Sequence, residues 1–416
     1  MAHNKFLPRV LAAAAAMMLL AGCGSKSDPG FSPSNPVNIT IWTYYNGEQL
    51  ESFNALVDEF NSTVGKEQGI TVESSSHGSV TDLENNVLAS AEGKVGAEAM
   101  PNIFSAYADT AYALDEMGQI ADLSDYLSEE DRAAFIEDYL SEGDFSGSGS
   151  IKIFPVAKSA ELLFLNETDW EPFAAATGAT YDDLATIEGL VSVAERYYEW
   201  TDAQTPDIPN DGRAFFGRDA MANYMLIGAK QLGCTIFAAQ GGSMTLNFDH
   251  DAVRTLWDNY YVPFIKGYFS ASGRFRSDDV KTGNIIAYVG SSSSATFFPT
   301  QVIADDMDSH DITRKALESP KFANGEDYAV QQGAGMVVTK ASDAEIQASL
   351  VFLKWFTSPE HNITFSVDSG YLPVTHEGNS INAIRISGLA LSDEMDEVLS
   401  AAVDTVNENH LYTPHA

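Results

Sequence analysis

Cysteine is almost missing from this chain, which has two cysteines among its 416 residues, Cys23 and Cys234. A framework of several disulfides and a cysteine-rich zinc site are therefore excluded. Cys234 comes after the apolar run 225–233, whose pattern is typical of a helix end. It is predicted to be a buried, inert thiol rather than a nucleophile.

Basic residues are also scarce, since 23 Lys and Arg stand against 59 Asp and Glu, a formal net charge of −36. A chain this acidic repels the phosphates of nucleic acid, so we expect no nucleic-acid partner. It also gains nothing by adsorbing to anionic lipid. Attachment to a membrane would need a separate anchor.

Motifs of known catalytic and metal sites are missing as well. The eight histidines include no His-x-x-x-His pair, and the chain has neither a Gly-x-Ser-x-Gly elbow nor a Walker loop. We therefore expect no catalytic residue, no metal and no cofactor. With 59 carboxylates, counting alone leaves the acid pair of a glycosidase open.

Long apolar runs occur only at the N-terminus. Lys5 and Arg9 precede the apolar stretch 10–21, which is too short to span a bilayer and is typical of an export signal. Leu20-Ala21-Gly22-Cys23 resembles the bacterial lipobox, which implies that residues 1–22 are removed and that Cys23 is lipidated. Residues 23–37 then form a flexible tether rich in Ser, Pro and Gly. The expected location is the outer face of the cell membrane.

The remainder of the chain is too long for one core, because single cores stop growing near about 250–300 residues. Its first part alternates short β-branched runs with helical spacing, which predicts a parallel α/β sheet. We predict a hairpin turn at 143–149. The predicted strands are 38–42, 69–73, 102–106, 151–156 and 333–338, and the predicted helices are 49–63, 81–92, 110–117, 181–201, 219–232, 251–266 and 343–356.

Several segments resemble the extracellular solute-binding proteins of bacterial ABC importers, of the sugar-binding type. They are 39–61, 154–166, 287–294, 333–338 and the pair 352–360 and 369–374, which is the most specific. The resemblance implies an α/β, two-lobed periplasmic-binding-protein-like fold of type II, with the ligand in the interlobe cleft. Lobe 1 would be 38–153 plus 331–374, and lobe 2 would be 154–330 plus 375–416. Family chains usually continue with further helices, so we expect a shortened C-terminus.

A sugar site combines flat aromatic rings with fixed polar groups. Local alternatives exist for several candidates: an N-cap for Asp82, a loop salt bridge for Arg218, and pairing with Asp278 or Asp279 for Arg274. The best stacking candidate is Tyr371. The candidate ligand contacts are Tyr44, Tyr45, Glu48, Asp82, Tyr107, Ser159, Phe215, Arg218, Arg274, Ser292 and Tyr371.

The resemblance implies a monomeric, lipid-anchored substrate-binding subunit that captures a carbohydrate and delivers it to the membrane permease, without chemistry of its own. Glycerol-3-phosphate or another phosphorylated polyol is the alternative ligand, and a secreted glycoside hydrolase or lyase is the alternative of another class. Convergence of Arg218 and Arg274 would favour a phosphorylated ligand. Convergence of Tyr44, Phe215 and Tyr371 with carboxylates would favour a neutral sugar.

Overall fold

The structure, a computed structural model, describes residues 30–240, 243–303 and 309–413. The predicted signal peptide, Cys23 and residues 24–29 of the predicted tether lie outside the described residues. In the described ranges, no helix is both long enough and apolar enough to cross a membrane.

Short strands and amphipathic helices alternate along the described chain. The strands are β1 Val37–Thr43, β2 Ile70–Ser76, β3 Ile103–Ala106, β4 Glu161–Asn166, β5 Phe216–Arg218, β6 Phe237–Gln240, β7 Ser243–Leu246, β8 Ala287–Ser291, β9 Gln301–Val302, β10 His310–Asp311, β11 Arg314–Glu318, β12 Tyr328–Val330, β13 Gly335–Val338 and β14 His410–Tyr412. The helices are α1 Gly47–Ser62, α2 Val64–Gln68, α3 Val80–Ala91, α4 Ala108–Glu116, α5 Glu129–Ala134, α6 Glu137–Ser141, α7 Glu167–Thr177, α8 Ile187–Asp202, α9 Met221–Gln231, α10 His250–Ile265, α11 Arg276–Lys281, α12 Asp343–Phe356, α13 Pro359–Ser369, α14 Ile381–Ile386 and α15 Asp393–Glu408.

Lobe 1 is built on a four-stranded sheet in the order β13-β3-β1-β2. Strand β1 runs parallel to β2 and β3, and β13 is antiparallel to β3. Helices α1 and α12 pack on this sheet and bury Phe53 and Phe352 completely. The predicted parallel α/β sheet is confirmed, and its carboxyl edge lies where β1 and β3 end.

Lobe 2 is built on a second sheet in the order β11-β4-β8-β5. All six residues of β4 are buried, as expected for a central strand that is covered on both faces. Helix α8 buries Ile187, Leu190, Val193 and Ala194, the spacing of one helix face. The two sheets give the two-lobed fold that the sequence predicts.

Three chain segments meet between the lobes, and we call residues 156–160, 331–333 and 370–373 the hinge. Antiparallel bridges join Lys158 to Leu372 and Ser159 to Gln332. Directly after residue 373 the chain contacts lobe 1, where the Ile136 N–H donates to the Val374 carbonyl at 3.1 Å, and helix α15 further along packs on β11 of lobe 2. The hinge therefore adjoins lobe 1 at two places, at the lobe 1 sheet and at the segment around Ile136.

The predicted hairpin at 143–149 and strand at 151–156 are wrong. Only Phe154 of that segment forms a bridge, to Met336 of β13. The Asp144 carboxylate accepts hydrogen bonds from the N–H groups of Ser148 and Gly149, at 3.0 and 2.8 Å. The Gly/Ser loop thus closes on its own aspartate. The segment after it runs buried through lobe 1 and touches β13 by a single bridge, which is too little for a strand.

The predicted tether is shorter than expected. Phe31 is 8% exposed and belongs to the main hydrophobic core of the molecule. The Ser32 and Asn35 backbones form a tight turn beside it, and the Val37 N–H donates to the Gly69 carbonyl at 2.9 Å. From Phe31 onward the chain is packed on lobe 1, and burial of the Phe31 ring contributes about 1.5–3 kcal/mol toward ordering this segment.

Candidate functional site

Three tyrosines, Tyr44, Tyr107 and Tyr371, form what we call the tyrosine wall. Tyr44 and Tyr107 directly follow β1 and β3, so both lie at the carboxyl edge of the lobe 1 sheet. Tyr371 comes from the hinge, and its hydroxyl lies 3.4 Å from that of Tyr44. The carboxyl edge of a parallel sheet is where α/β proteins bind ligands.

The tyrosine wall stays uncharged near neutral pH. Burial is the main cause that raises the pKa of Tyr44, and the neighbouring Tyr371 and Tyr107 add to it. Burial likewise raises the pKa of Tyr371. Neutral phenols both donate and accept hydrogen bonds, and their rings offer flat apolar faces.

Across the junction, Glu161, Arg218 and Asn223 form what we call the polar wall of lobe 2. Glu161 begins β4, Arg218 ends β5, and Asn223 lies in the first turn of α9. The Arg218 guanidinium lies 3.2 Å from one oxygen of Glu161, and the Asn223 amide donates to the other at 2.9 Å. Arg218 also lies 5.2 Å from the centroid of the Tyr224 ring, a cation–π distance.

A small cavity of about 30 Å³ opens against the polar wall, which leaves room for a few water molecules at most. Its lining contains no residue of the tyrosine wall. Beside the polar wall, its lining includes Gln231 and Tyr328. The cavity therefore combines hydrogen-bonding side chains with an aromatic ring.

A serine loop at the end of β8 connects the two walls. The Ser291 hydroxyl donates to that of Ser159 at 3.0 Å, and the Ser292 hydroxyl donates to the Gly370 carbonyl at 2.9 Å. Gly370 has φ +69°, and a Cβ on it would lie 2.9 Å from the Ser292 carbonyl oxygen. The close approach of the loop to the hinge thus requires glycine at position 370.

Cations around the cleft are neutralised, as far as the described residues show. Arg218 is paired with Glu161, and Lys158 is paired with Glu142. Arg276 lies 2.6 Å from the Asp279 carboxylate. An anionic ligand would have to compete with these carboxylates.

Phe215 is not a cleft residue, contrary to the prediction. Its side chain is 0% exposed and packs against Trp170 and Tyr197 in the core of lobe 2. The Phe215 carbonyl accepts from the N–H groups of Ile286 and Ala287, which fixes the segment against β8. Its aromatic ring contributes to folding rather than to the cleft.

Arg274 and Glu48 also lie away from the two walls. Arg274 is exposed, with its guanidinium 5.3 Å from the centroid of the Phe275 ring. It is Arg276, not Arg274, that pairs with Asp279. Glu48 is exposed and lines a separate open groove with Asp368.

The remaining predicted contacts have structural partners. Asp82 is exposed and accepts a hydrogen bond from the Ser79 hydroxyl, so it belongs to the cap of α3. Tyr45 is 2% exposed and packs on Phe53 behind the tyrosine wall. Ser159 and Ser292 are buried at the hinge, where their hydroxyls hold the serine loop.

Three residues of this region were missed from the sequence: Glu142, Asn223 and Ser291. Nothing in the local sequence separates Glu142 from its many acidic neighbours. Their partners lie 16, 62 and 132 positions away along the chain. These residues could be identified only from the three-dimensional arrangement of the chain. Within the described ranges, no group of three His, Cys, Asp or Glu side chains is placed to hold a metal ion.

One comparison with known proteins identifies a family. The model for the bacterial extracellular solute-binding proteins matches residues 55–381. A search of curated proteins finds no match.

Solved structures with the same fold include several oligosaccharide-binding proteins. The cyclic α-maltosyl-1,6-maltose binding protein of Arthrobacter globiformis has a TM-score of 0.70 at 17% identity, over 91% of this chain and 88% of that one. Lmo0181 of Listeria monocytogenes, in complex with cycloalternan, has a TM-score of 0.67 at 17% identity, over 90% and 88%. UgpB of Mycobacterium tuberculosis, in complex with glycerophosphocholine, has a TM-score of 0.67 at 16% identity, over 91% and 88%.

Proposed function

The chain belongs to the bacterial extracellular solute-binding proteins, and from this premise we propose that it is the substrate-binding subunit of an ABC importer for a neutral carbohydrate. Members of this family capture ligands and do not transform them, so the hydrolase or lyase alternative is set aside. The family is extracellular, which places the folded body outside the cytoplasm.

One observation carries the choice of ligand: the tyrosine wall and the polar wall both adjoin the serine loop, and the cation of the polar wall is already paired. Tyr44 is half-buried and offers a neutral aromatic ring for the C–H face of a sugar. Tyr371 is 5% exposed and stacks on Phe365, so its ring would become available to a ligand when the lobes open. Glu161 and Asn223 offer fixed acceptors and donors for hydroxyl groups. Similar structures that bind oligosaccharides support the same ligand class.

A phosphorylated polyol is the second candidate, because the similar structure of UgpB holds glycerophosphocholine. Phosphate recognition usually relies on Arg or Lys that is free to make bidentate contacts. Here Arg218 is held by Glu161, and Arg274 lies on the exposed surface. The described cleft therefore favours a ligand without charge.

Ligand binding would favour the closed arrangement of the lobes. A sugar that contacts both walls interacts better with the closed state than with the open one, which shifts the population toward closure. The closed body, as a monomer, would then dock on the permease subunits of the importer. ATP hydrolysis would take place on another subunit, since this chain carries no phosphate-binding loop.

We further propose that the body is anchored to the membrane through lipid on Cys23. The lipobox-like sequence 20–23 supports this, and residues 24–30 would link the anchor to Phe31. Mass spectrometry of the membrane-extracted chain should show a diacylglyceryl mass on Cys23 in the wild type. A Cys23→Ser variant should lose that mass and appear in the soluble fraction, and an unmodified Cys23 in the wild type would contradict the proposal.

The test of function is thermal unfolding of the full chain with neutral mono- and oligosaccharides, glycerol-3-phosphate and glycerophosphocholine. A ligand present at 100 times its Kd should stabilise the folded state by about 2.7 kcal/mol. We expect a shift in Tm with a neutral oligosaccharide, confirmed by calorimetric titration, and no product by chromatography. A shift with the phosphorylated compounds alone would select the second candidate.

A further inference from the structure

Lys158 holds the hinge to lobe 1 through an ion pair that is shielded from solvent. Its side chain is 0% exposed, and its ammonium donates to the carboxylate of Glu142, whose side chain is 3% exposed. The same ammonium donates to the Gly333 carbonyl at 2.8 Å. A charge buried this deeply is strongly destabilising without its partner, so the hinge and Glu142 move together.

Backbone hydrogen bonds at Lys158 and Ser159 join the first hinge segment to the other two. Lys158 and Leu372 exchange N–H···O bonds of 3.1 and 2.6 Å, and Ser159 and Gln332 exchange bonds of 3.0 and 3.1 Å. Glu142 directly follows α6 of lobe 1. The three crossings are thereby fastened to each other and to lobe 1.

At the next residue toward lobe 2, the backbone hydrogen bonds go to lobe 2 instead. That residue is Ala160 in the first hinge segment and Gln331 in the second. The Ala160 carbonyl accepts from the Ser292 N–H at 2.8 Å. The Gln331 N–H donates to the carbonyl of Tyr412, in strand β14, at 3.1 Å. The backbone hydrogen bonds therefore change lobe between residues 159 and 160, and again between 331 and 332. The Ser159 side chain already contacts Ser291 of lobe 2.

Two buried polar atoms at the second of these steps have no hydrogen-bond partner among the described residues. They are Nε2 of Gln331 and Oε1 of Gln332, on adjacent side chains. Such atoms are rare in folded proteins, because each loses its hydration without compensation. Unpaired amides at this step are what a change of partners between two arrangements of the lobes would leave.

We propose that Lys158 and Glu142 form a clamp that fixes the crossings to lobe 1, so that the lobes pivot at Ser159–Ala160 and at Gln331–Gln332. The clamp is a positioning device and does not touch ligand. It rests on the proposed function, because capture in a cleft requires lobes that open and close.

The clamp also adjoins the tyrosine wall. Burial, the neighbouring Tyr371 and the Glu142 carboxylate all raise the pKa of Tyr107, so the ion pair lies close to that phenol. Loosening the clamp would therefore change both the pivot and the lobe 1 surface that a ligand meets.

The test compares the wild type with Lys158→Met and with the double variant Lys158→Met/Glu142→Leu. The distance between the lobes is measured by single-molecule FRET on the full chain in detergent, with non-natural amino acids for labelling at Asp58 and Asp251. Both positions are exposed, one on α1 and one on α10. The matched control is Lys152→Met/Asp115→Leu, which removes a 3.0 Å ion pair within lobe 1.

The single variant should lower Tm by more than about 5 °C, since it leaves a buried carboxylate unpaired. The double variant should recover most of that loss, because an apolar pair often replaces a buried ion pair without cost. It should nevertheless show a broader ligand-free distance distribution and about tenfold weaker ligand binding, as expected when the binding-competent state is less populated. The control should leave distances and affinity unchanged.

A double variant with the wild-type distance distribution and affinity would overturn the clamp and leave the pair a packing feature. If the double variant does not fold, Glu142→Gln decides the question, because it keeps the shape and removes the charge. An unchanged ligand-free distribution in Glu142→Gln would overturn the proposal. The ligand-free comparison is independent of the ligand class. A wild type whose distance responds to no carbohydrate would overturn the proposed function instead.

Discussion

Neighbouring aromatic residues divide between the cleft and the core. Tyr44 and Tyr45 are adjacent, and side chains on an extended backbone point to opposite faces. Tyr44 consequently joins the tyrosine wall, whereas Tyr45 stacks near Phe53 and Phe365 at ring distances of 5.4 Å. The sequence predicts that aromatics cluster after β1, but the direction of each ring depends on where the strand ends.

Tyr371 is expected to bind ligand through its ring more than through its hydroxyl. Tyr371→Ala should weaken carbohydrate binding about tenfold, a loss of about 1.4 kcal/mol. Tyr371→Phe should change the affinity by less than about threefold, because the hydroxyl contact with Tyr44 is long at 3.4 Å. Calorimetric titration checks both.

The control for Tyr371→Ala is Phe215→Leu, which disturbs an aromatic core residue that belongs to neither wall. It should lower Tm without changing the affinity. A larger loss in Tyr371→Phe than in Tyr371→Ala would show that the hydroxyl, not the ring, makes the important contact.

At the scale of elements, helix α12 shows how a local signal can be sufficient. Ser342 and Glu345 form a capping box, in which the Ser342 hydroxyl donates to the Glu345 carboxylate at 2.6 Å. Apolar residues then follow at helical spacing, and the observed bounds 343–356 equal the predicted ones. By contrast, the segment 151–156 has the composition of a strand but pairs with β13 only at Phe154.

The capping box should make the stability of α12 depend on pH. Hydrogen bonds from the Ser342 hydroxyl and N–H lower the pKa of Glu345 from its ordinary value of 4.5. A carboxylate with a lowered folded pKa stabilises the fold above its unfolded pKa, and this stabilisation is lost as the pH falls. Ser342→Ala should therefore cost about 1 kcal/mol at pH 7 and less near pH 3.5, measured by urea unfolding.

The control is Ser392→Ala at the start of α15. The Ser392 hydroxyl accepts from the Met395 N–H at 3.1 Å, and no carboxylate occupies the third helical position. Its cost should be similar at both pH values. Equal pH dependence in the two variants would contradict the assignment to Glu345.

At the scale of the whole molecule, two lobes carry a large excess of negative charge. The 59 acidic residues are not matched by 23 basic ones, and several of the basic ones are used in buried pairs. The excess charge opposes compaction through self-repulsion. It also keeps such a body from adsorbing to anionic surfaces.

Salt should stabilise the folded chain. Raising NaCl from 10 to 200 mM shortens the Debye length from about 30 Å to below about 10 Å and screens the repulsion between distant carboxylates. We expect Tm to rise by a few degrees in scanning calorimetry, with sucrose of equal osmolality as the control. A fall in Tm would mean that the screened ion pairs outweigh the net repulsion.

The sequence by itself determined the α/β class, the two sheets, most helices and the family, because periodicity, capping and short segment patterns are local properties of the chain. It also determined that Tyr44, Tyr107 and Tyr371 follow strand ends or the hinge. Only the tertiary structure decided that Phe215 is core and that Arg218 is paired with Glu161. The pairing of Lys158 with Glu142 was also visible only in the tertiary structure. Each of these outcomes depends on contacts between segments that are distant in the sequence, and the geometry of such contacts is fixed only when the lobes pack.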